Sequence, residues 1–213
     1  MTSTAISAQG TVLSIGTGSG SAKTITATDL GNPTILTITA HGFNNGDVVT
    51  LAGLTGADMA TLNGQTVSVR NITVNTFAVY IDTTGKTITA GSGTATTTTF
   101  TPVANIKDFT GFDGAASEID VTNMDSSAKE FRLGLVDSGQ FNFNIDYDSA
   151  NAGHIALRAK QVSGVVSSFK VVLPNLSAIT FQGFVKKFSL AGGVDQVAKT
   201  AVDIRITGSI TGL

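Results

Sequence analysis

A chain of 213 residues can form one β-rich domain or two small ones, and 41% hydrophobic against 13% charged residues excludes a disordered acidic tail. A formal net charge of −2 excludes nucleic-acid binding by phosphate neutralisation, which needs a clear excess of Lys and Arg, but permits a protein that merely encloses DNA. The absence of Cys removes disulfides, thiolate metal sites and thiol nucleophiles, and two His cannot build a His-rich metal centre. No apolar run approaches the roughly 20 residues of a spanning helix, and "MTSTAISAQGTVLSIG" lacks the basic start and apolar stretch of a signal peptide. The chain therefore reads as soluble and unexported, with no membrane insertion.

In chain order, "AISAQGTVLSIGTG" predicts a first strand around Val12 and Leu13, and "GTGSGSAK" a flexible hinge of small residues. From residue 24 to 95, short β-prone runs are separated by Gly, Asn and Asp turns, which suits a small barrel or sandwich. Within it, "AHGFNNGDVVTLAGLTG" sets His41 among glycines and an aspartate. A metal ligand, a phosphate cradle and a turn residue are the alternatives, and Asn44 to Asp47 supply the chemistry of a turn between strands. A second small-residue tract, "GSGTATTTT", closes this stretch. Residues 24–95 are thus expected to be an inserted domain, and residues 1–23 and 96–213 one discontinuous main domain.

In the second half, "FTPVANIKDFTGFDG" predicts a strand and a break, and residues 110–137 are polar with no sustained helical or strand period. So long a polar segment in a compact domain is often functional. "QFNFNIDYD" alternates cleanly: Phe141, Phe143, Ile145 and Tyr147 face a core, and Gln140, Asn142, Asn144, Asp146 and Asp148 face water. "DSANAGHIALRAKQVSG" predicts a helix capped by Asp148 or Ser149, with Ile155, Ala159 and Val162 inward, Gly164 at its end and His154 partly exposed in its first turn. Three further strands follow in "VSSFKVVLP", "AITFQGFVKKFSLAG" and "VAKTAVDIRITGSI". The expected fold is mainly β: an antiparallel sandwich or barrel with one flanking helix, plus the inserted small all-β domain.

Catalytic constellations are not found. "GTGSGSAK" does not fit the spacing G-x-x-x-x-G-K-[ST], and no helix pattern follows it. The pairs Asp146/Asp148 and Glu118/Asp120 would lie on solvated strand faces, and the two His fall in different expected domains with no nucleophile elbow. No enzyme activity, catalytic residue, metal or cofactor is expected. Charge is regional instead. Residues 108–148 hold Asp108, Asp113, Glu118, Asp120, Asp125, Glu130, Asp137, Asp146 and Asp148 against Lys129 and Arg132, whereas from 154 onward bases predominate. If those regions reach different surfaces, copies can meet by a heterologous contact, which builds rings or filaments; if strands interleave them, the charges mix.

The succession "VANIKDFTGFDGAASEIDVTNMDSSAKEF", "DSGQFNFNIDYD", "HIALRAKQVSG" and "FKVVLPNLSAITFQGFVKKFSLAGGVDQVAKTAVDIRITGSI" resembles the major tail tube protein of long, non-contractile-tailed bacteriophages, across essentially the whole main domain. The resemblance implies a structural virion protein. Its subunits form hexameric rings stacked into a tube around the tape measure protein, bounded by tail tip and tail terminator proteins, assembled in the host cytoplasm and later traversed by DNA that is not specifically bound. It implies an inter-ring segment over about 109–136, with Phe109, Asp113, Glu118, Asp120, Asp125, Lys129 and Glu130 as candidates. It also makes the face of Gln140, Asn142, Asn144, Asp146 and Asp148 the candidate lumen lining. Separately, residues 33–80 are similar, through the AHG-x-x-x-GD turn, the LNG turn at 62–64 and the "NTFAV" strand, to small β modules of phage tail proteins likened to the first catalytic-cysteine half-domain of ubiquitin-activating enzymes. That similarity implies a fold and no activity. A carbohydrate-binding adhesin or tail-fibre module, working through 24–95, is the alternative function.

Overall fold

The structure is a computed structural model that describes residues 5–175 and 177–212; residues 1–4, Leu176 and Leu213, assigned above to the main domain, lie outside the described residues. The elements are β1 (Val12–Thr24), β2 (Ala27–Asp29), β3 (Thr34–Thr37), β4 (Val48–Ala52), β5 (Thr66–Ser68), β6 (Thr76–Val79), β7 (Thr94–Val103), β8 (Ile106–Gly111), β9 (Ala116–Asp120), β10 (Phe131–Val136), β11 (Gln140–Asp146), α1 (Ala152–Ser163), β12 (Ser167–Val172), β13 (Ala178–Ala191) and β14 (Lys199–Thr211). Among the described residues the protein is mainly β with antiparallel sheets and one α-helix, as expected. It divides into two compact units: residues 1–102, 168–180 and 211–213, and residues 103–167 and 181–210.

In the first unit, strands neighbour one another in the order β5-β4-β7-β1-β12, and β2-β3-β6 form a separate sheet. One apolar cluster is drawn entirely from residues 25 to 95, with Leu36, Leu51, Leu62, Val69 and Phe77 among its fully buried members. His41 is buried beside it, its ring 5.0 Å from Phe43 and 5.5 Å from Phe77. Its Nδ1 accepts from the Phe43 N–H at 2.9 Å, so the proton sits on Nε2 and is donated to the Thr76 carbonyl at 3.2 Å. Of the alternatives for this histidine, the turn residue is the one built. The turn itself closes through Asp47, whose Oδ2 accepts from the Asn44 N–H at 2.8 Å, with Gly46 at φ 87°.

The glycine-rich tract read as a flexible hinge is instead the second half of β1, paired beside β7. The reason lies across the ladder: a Cβ on Gly16, Gly18 or Gly20 would come within 2.9, 2.9 and 2.2 Å of the side chains of Thr98, Thr99 and Thr97. Glycine at these alternate positions leaves the room that the threonine side chains of the neighbouring strand occupy. The tract's small residues therefore record close packing, and "TATTTT" is its partner strand.

In the second unit the order is β13-β14-β11-β8, with β9 and β10 as a two-stranded ribbon. β11 follows its alternation: Phe141, Phe143 and Ile145 are buried, and the register places Phe143 between Val202 of β14 and Phe109 of β8. Phe141 sits in an aromatic cluster, with ring centroids 5.2 to 5.9 Å from Phe109, Phe112, Phe143 and Phe181. Phe109, a candidate for the inter-ring segment, thus contributes half-buried to the core.

Helix α1 is present, but three expectations are corrected: its cap, its inward face and the partial exposure of His154. Its cap is Asn151, whose side chain accepts from the His154 N–H, and Gly164 ends it in the left-handed conformation at φ 64°. Its buried face holds Gly153, His154 and Leu157, whereas Ile155, Ala159 and Val162 face outward. His154 decides the rotation. It is 1% exposed, with Nε2 2.9 Å from the Ala104 carbonyl and Nδ1 accepting from the Asp148 N–H at 3.1 Å. Those partners can be reached only from the inside of the helix.

The ribbon leaves the sheet through a crowded root. The Asp113 carboxylate accepts from the Gln140 N–H at 2.9 Å, and the Asp137 N–H donates to the Ala115 carbonyl. A Cβ on Gly114 would stand 1.8 Å from the Asp137 carbonyl oxygen and 2.7 Å from the Ser138 carbonyl carbon, both main chain. Gly114→Ala should therefore lower stability by about 1–3 kcal/mol, as other overpacking substitutions do; an unchanged denaturation midpoint would show that the root yields freely.

Candidate functional site

The segment 110–137, read as having no sustained helical or strand period, contains the β9–β10 ribbon, which corrects that reading. Phe131 pairs with Asp120, Arg132 with Ile119 and Leu133 with Glu118, and the register shifts between Leu133 and Val136. Directly opposed residues share a face. One face thus carries Phe131, Leu133, Glu118 and Asp120, and the other Ile119 and Arg132. The connecting turn is fastened by its own polar groups: Thr122 Oγ1 accepts from the Glu130 N–H at 3.0 Å, and Asn123 Oδ1 from the Asp125 N–H at 2.8 Å. Hydrogen bonds from the Thr122 hydroxyl and N–H hold the Asp120 carboxyl below the usual carboxylate range.

Apolar exposure distinguishes this ribbon. Leu133, Leu135 and Val136 are 77, 91 and 75% exposed, and Ile119, Met124 and Phe131 are also open. An isolated two-stranded ribbon is marginal in water, and a contiguous apolar patch on one marks a contact surface. The sequence signal was the alternation Phe131, Leu133, Leu135 in "FRLGLV", hidden inside a stretch judged polar as a whole. Glu118, Asp120, Asp125, Lys129 and Glu130 all lie on the ribbon or its turn, with Lys129 3.9 Å from Asp120. Asp113 lies at the root and Phe109 in β8.

The polar face of β11 gathers four of its five candidates. Gln140 stands opposite Arg205, Asn142 opposite Asp203 and Thr110, Asn144 opposite Ala201 and Asp108, and Asp146 opposite Lys199. Asn144 Nδ2 donates to Asp108 Oδ1 at 2.7 Å, Lys107 Nζ lies 2.8 Å from Asp146 Oδ2, and Lys187 lies 3.9 Å from Asp203. The Asp146 hydrogen bond and charge hold the Lys107 ammonium above its ordinary pKa. Asp148 follows the strand, exposed in the turn into α1, where its Oδ1 accepts from the Ala150 N–H at 2.9 Å. On this sheet the acidic and basic regions interleave, so its face is charge-mixed: β8 and β11 supply Asp108 and Asp146, and β14 supplies Lys199 and Arg205 together with Asp203.

At the ribbon root, Asp137 pairs with Arg205, and the Gly139 N–H together with that guanidinium holds its carboxyl below the usual range. Among the described residues no group of three or more His, Asp or Glu could hold a metal, and no helix is long and apolar enough to cross a membrane.

Residues 79–178, which take in β7 to β12, the ribbon and α1, match the family described as "Phage tail tube, TTP, lambda-like". Among solved structures, the tail of an empty gene transfer agent particle, from helical refinement with C6 symmetry, aligns with a TM-score of 0.46 at 18% identity, over 54% of this chain and 86% of that one. The virion of a native gene transfer agent particle aligns with a TM-score of 0.46 at 17% identity, over 54% and 88%. No curated protein matches the chain.

Proposed function

We propose that this chain is a phage-type tail tube structural protein of the virion that polymerises as stacked hexameric rings, a reading supported by the family match over residues 79–178. The rings enclose the tape measure protein, end at tail tip and tail terminator proteins, are assembled in the host cytoplasm and later conduct DNA. The observation that carries the self-assembly is the β9–β10 ribbon, whose leucines are left in water by the single chain. Purified protein should form rings or tubes under negative-stain microscopy, six subunits to a ring. A strictly monomeric protein at high concentration, even beside a tape measure or tail tip partner, would reject the proposal.

The polar face of β11 is proposed as lumen lining. What supports this is its row of Gln, Asn and Asp; what refines it is that Asp146 is tied to Lys107, leaving Asp148 as the exposed carboxylate outside any ion pair among the described residues. Asp148→Lys should leave tubes intact and slow DNA ejection, because a cation in the bore holds phosphates. Ejection at the wild-type rate would remove Asp148 from the lining.

Residues 24–95 are proposed as an inserted surface module. The apolar cluster confined to residues 25 to 95 supports it, as does the pairing of β1 beside β7, which brings the two ends of the insertion together. A chain in which a short linker replaces residues 25–93 should still assemble into tubes. Loss of assembly with a folded remainder would make the module part of the tube wall.

A further inference from the structure

Helix α1 presents to solvent an apolar stripe that the fold leaves unused. Ile155 and Val162 are 55 and 76% exposed, and with Ala159 they fall at i, i+4 and i+7 on one face, with Arg158 between them. Gly164 then ends the helix, and Val165 and Val166, both exposed, extend the apolar surface beyond it. The helix carries Arg158 and Lys160 and no acidic residue. The ribbon face described above has the converse character: Phe131 and Leu133 are apolar, and Glu118 and Asp120 beside them are acidic. Both surfaces are open in the same chain, so neither covers the other within one subunit.

We propose that the outer face of α1 is the seat for the β9–β10 ribbon of a neighbouring copy. Phe131 and Leu133 lie against Ile155, Ala159 and Val162, and Glu118 and Asp120 face Arg158. This rests on the self-assembly proposed above and names the surface that receives the ribbon. Apolar burial supplies the attraction, and opposite charge sets the register and rejects ribbon-to-ribbon pairing, which would bring four carboxylates together. Because the two surfaces are different patches, the contact is heterologous and propagates from subunit to subunit.

The absence of Cys makes the test direct. Leu133→Cys and Val162→Cys proteins, mixed before assembly and treated with a short bis-maleimide, should give a cross-linked pair on a denaturing gel. Leu133→Cys mixed with Val74→Cys, an equally exposed residue of the other unit, should not. Tubes without the Leu133–Val162 cross-link would overturn the seat and leave tube formation standing; unmodified protein that never assembles would overturn both. In a second arm, Arg158→Glu should block assembly with an unchanged melting temperature, and adding Glu118→Lys and Asp120→Lys to the same chain should restore it. Normal assembly of Arg158→Glu, or no restoration, would count against the charge pairing that orients the ribbon.

Discussion

Phe141→Ala should destabilise the protein by about 3–5 kcal/mol, the range for removing a fully buried phenylalanine. The side chain is 1% exposed, and its ring is bordered by those of Phe109, Phe112, Phe143 and Phe181, which come from β8, the loop after it, β11 and β13. Four rings in three strands and a loop cannot collapse onto one vacancy without disturbing their ladders, so the cavity term should be near its full size. Because β8 leads directly into the ribbon root, the variant should also loosen that root before global unfolding. Hydrogen exchange of the Phe112 amide, which donates to the Gln140 carbonyl, reads that effect. A loss below about 1 kcal/mol in a denaturant titration would mean that the aromatic cluster is not the keystone of this unit.

The second large effect is expected on assembly. Leu133→Asp combined with Leu135→Asp should leave folding within about 0.5 kcal/mol of the original, as for other surface positions, since both side chains are mostly in water in the single chain. Burying each leucine in a contact is worth about 1.5–3 kcal/mol, so removing two should raise the protein concentration needed for tubes by roughly a hundredfold or more. Sedimentation across a concentration series measures this. Tubes forming at the original concentration would show that the ribbon is not a contact surface.

Different elements were legible in the sequence for different reasons. β11 was plain because Phe and Ile alternate with Gln, Asn and Asp at the strand period. The existence of α1 was equally plain, but its rotation was not: apolar residues lie on two sides, and the deciding partner of His154 is the carbonyl of Ala104, fifty residues away in sequence. The first half of β1 was found and its second half lost, because glycine at alternate positions looks like slack until the threonines opposite are known. The ribbon's position was legible as an oversized connection. Its strands were not, since the charged and small residues of 113–130 outweigh the short run Phe131, Leu133, Leu135. Regional charge was read correctly as a count, but strand order alone decides where charges meet, and it folds the acids of β8 and β11 in beside the bases of β14.

The glycine-for-threonine ladder between β1 and β7 has a consequence for how such a protein can change over time. The two chain ends that lead into and out of residues 24–95 are held side by side by main-chain bonds, so the entropy of closing that insertion is already met, and each doubling of its length costs only about 0.6 kcal/mol more. The ladder works as a socket: whatever is plugged in must only begin and end at one strand spacing. A shorter loop, or an unrelated domain with adjacent termini, can be exchanged there while the paired strands keep their register, which makes this the natural site for grafting a new surface onto the chain.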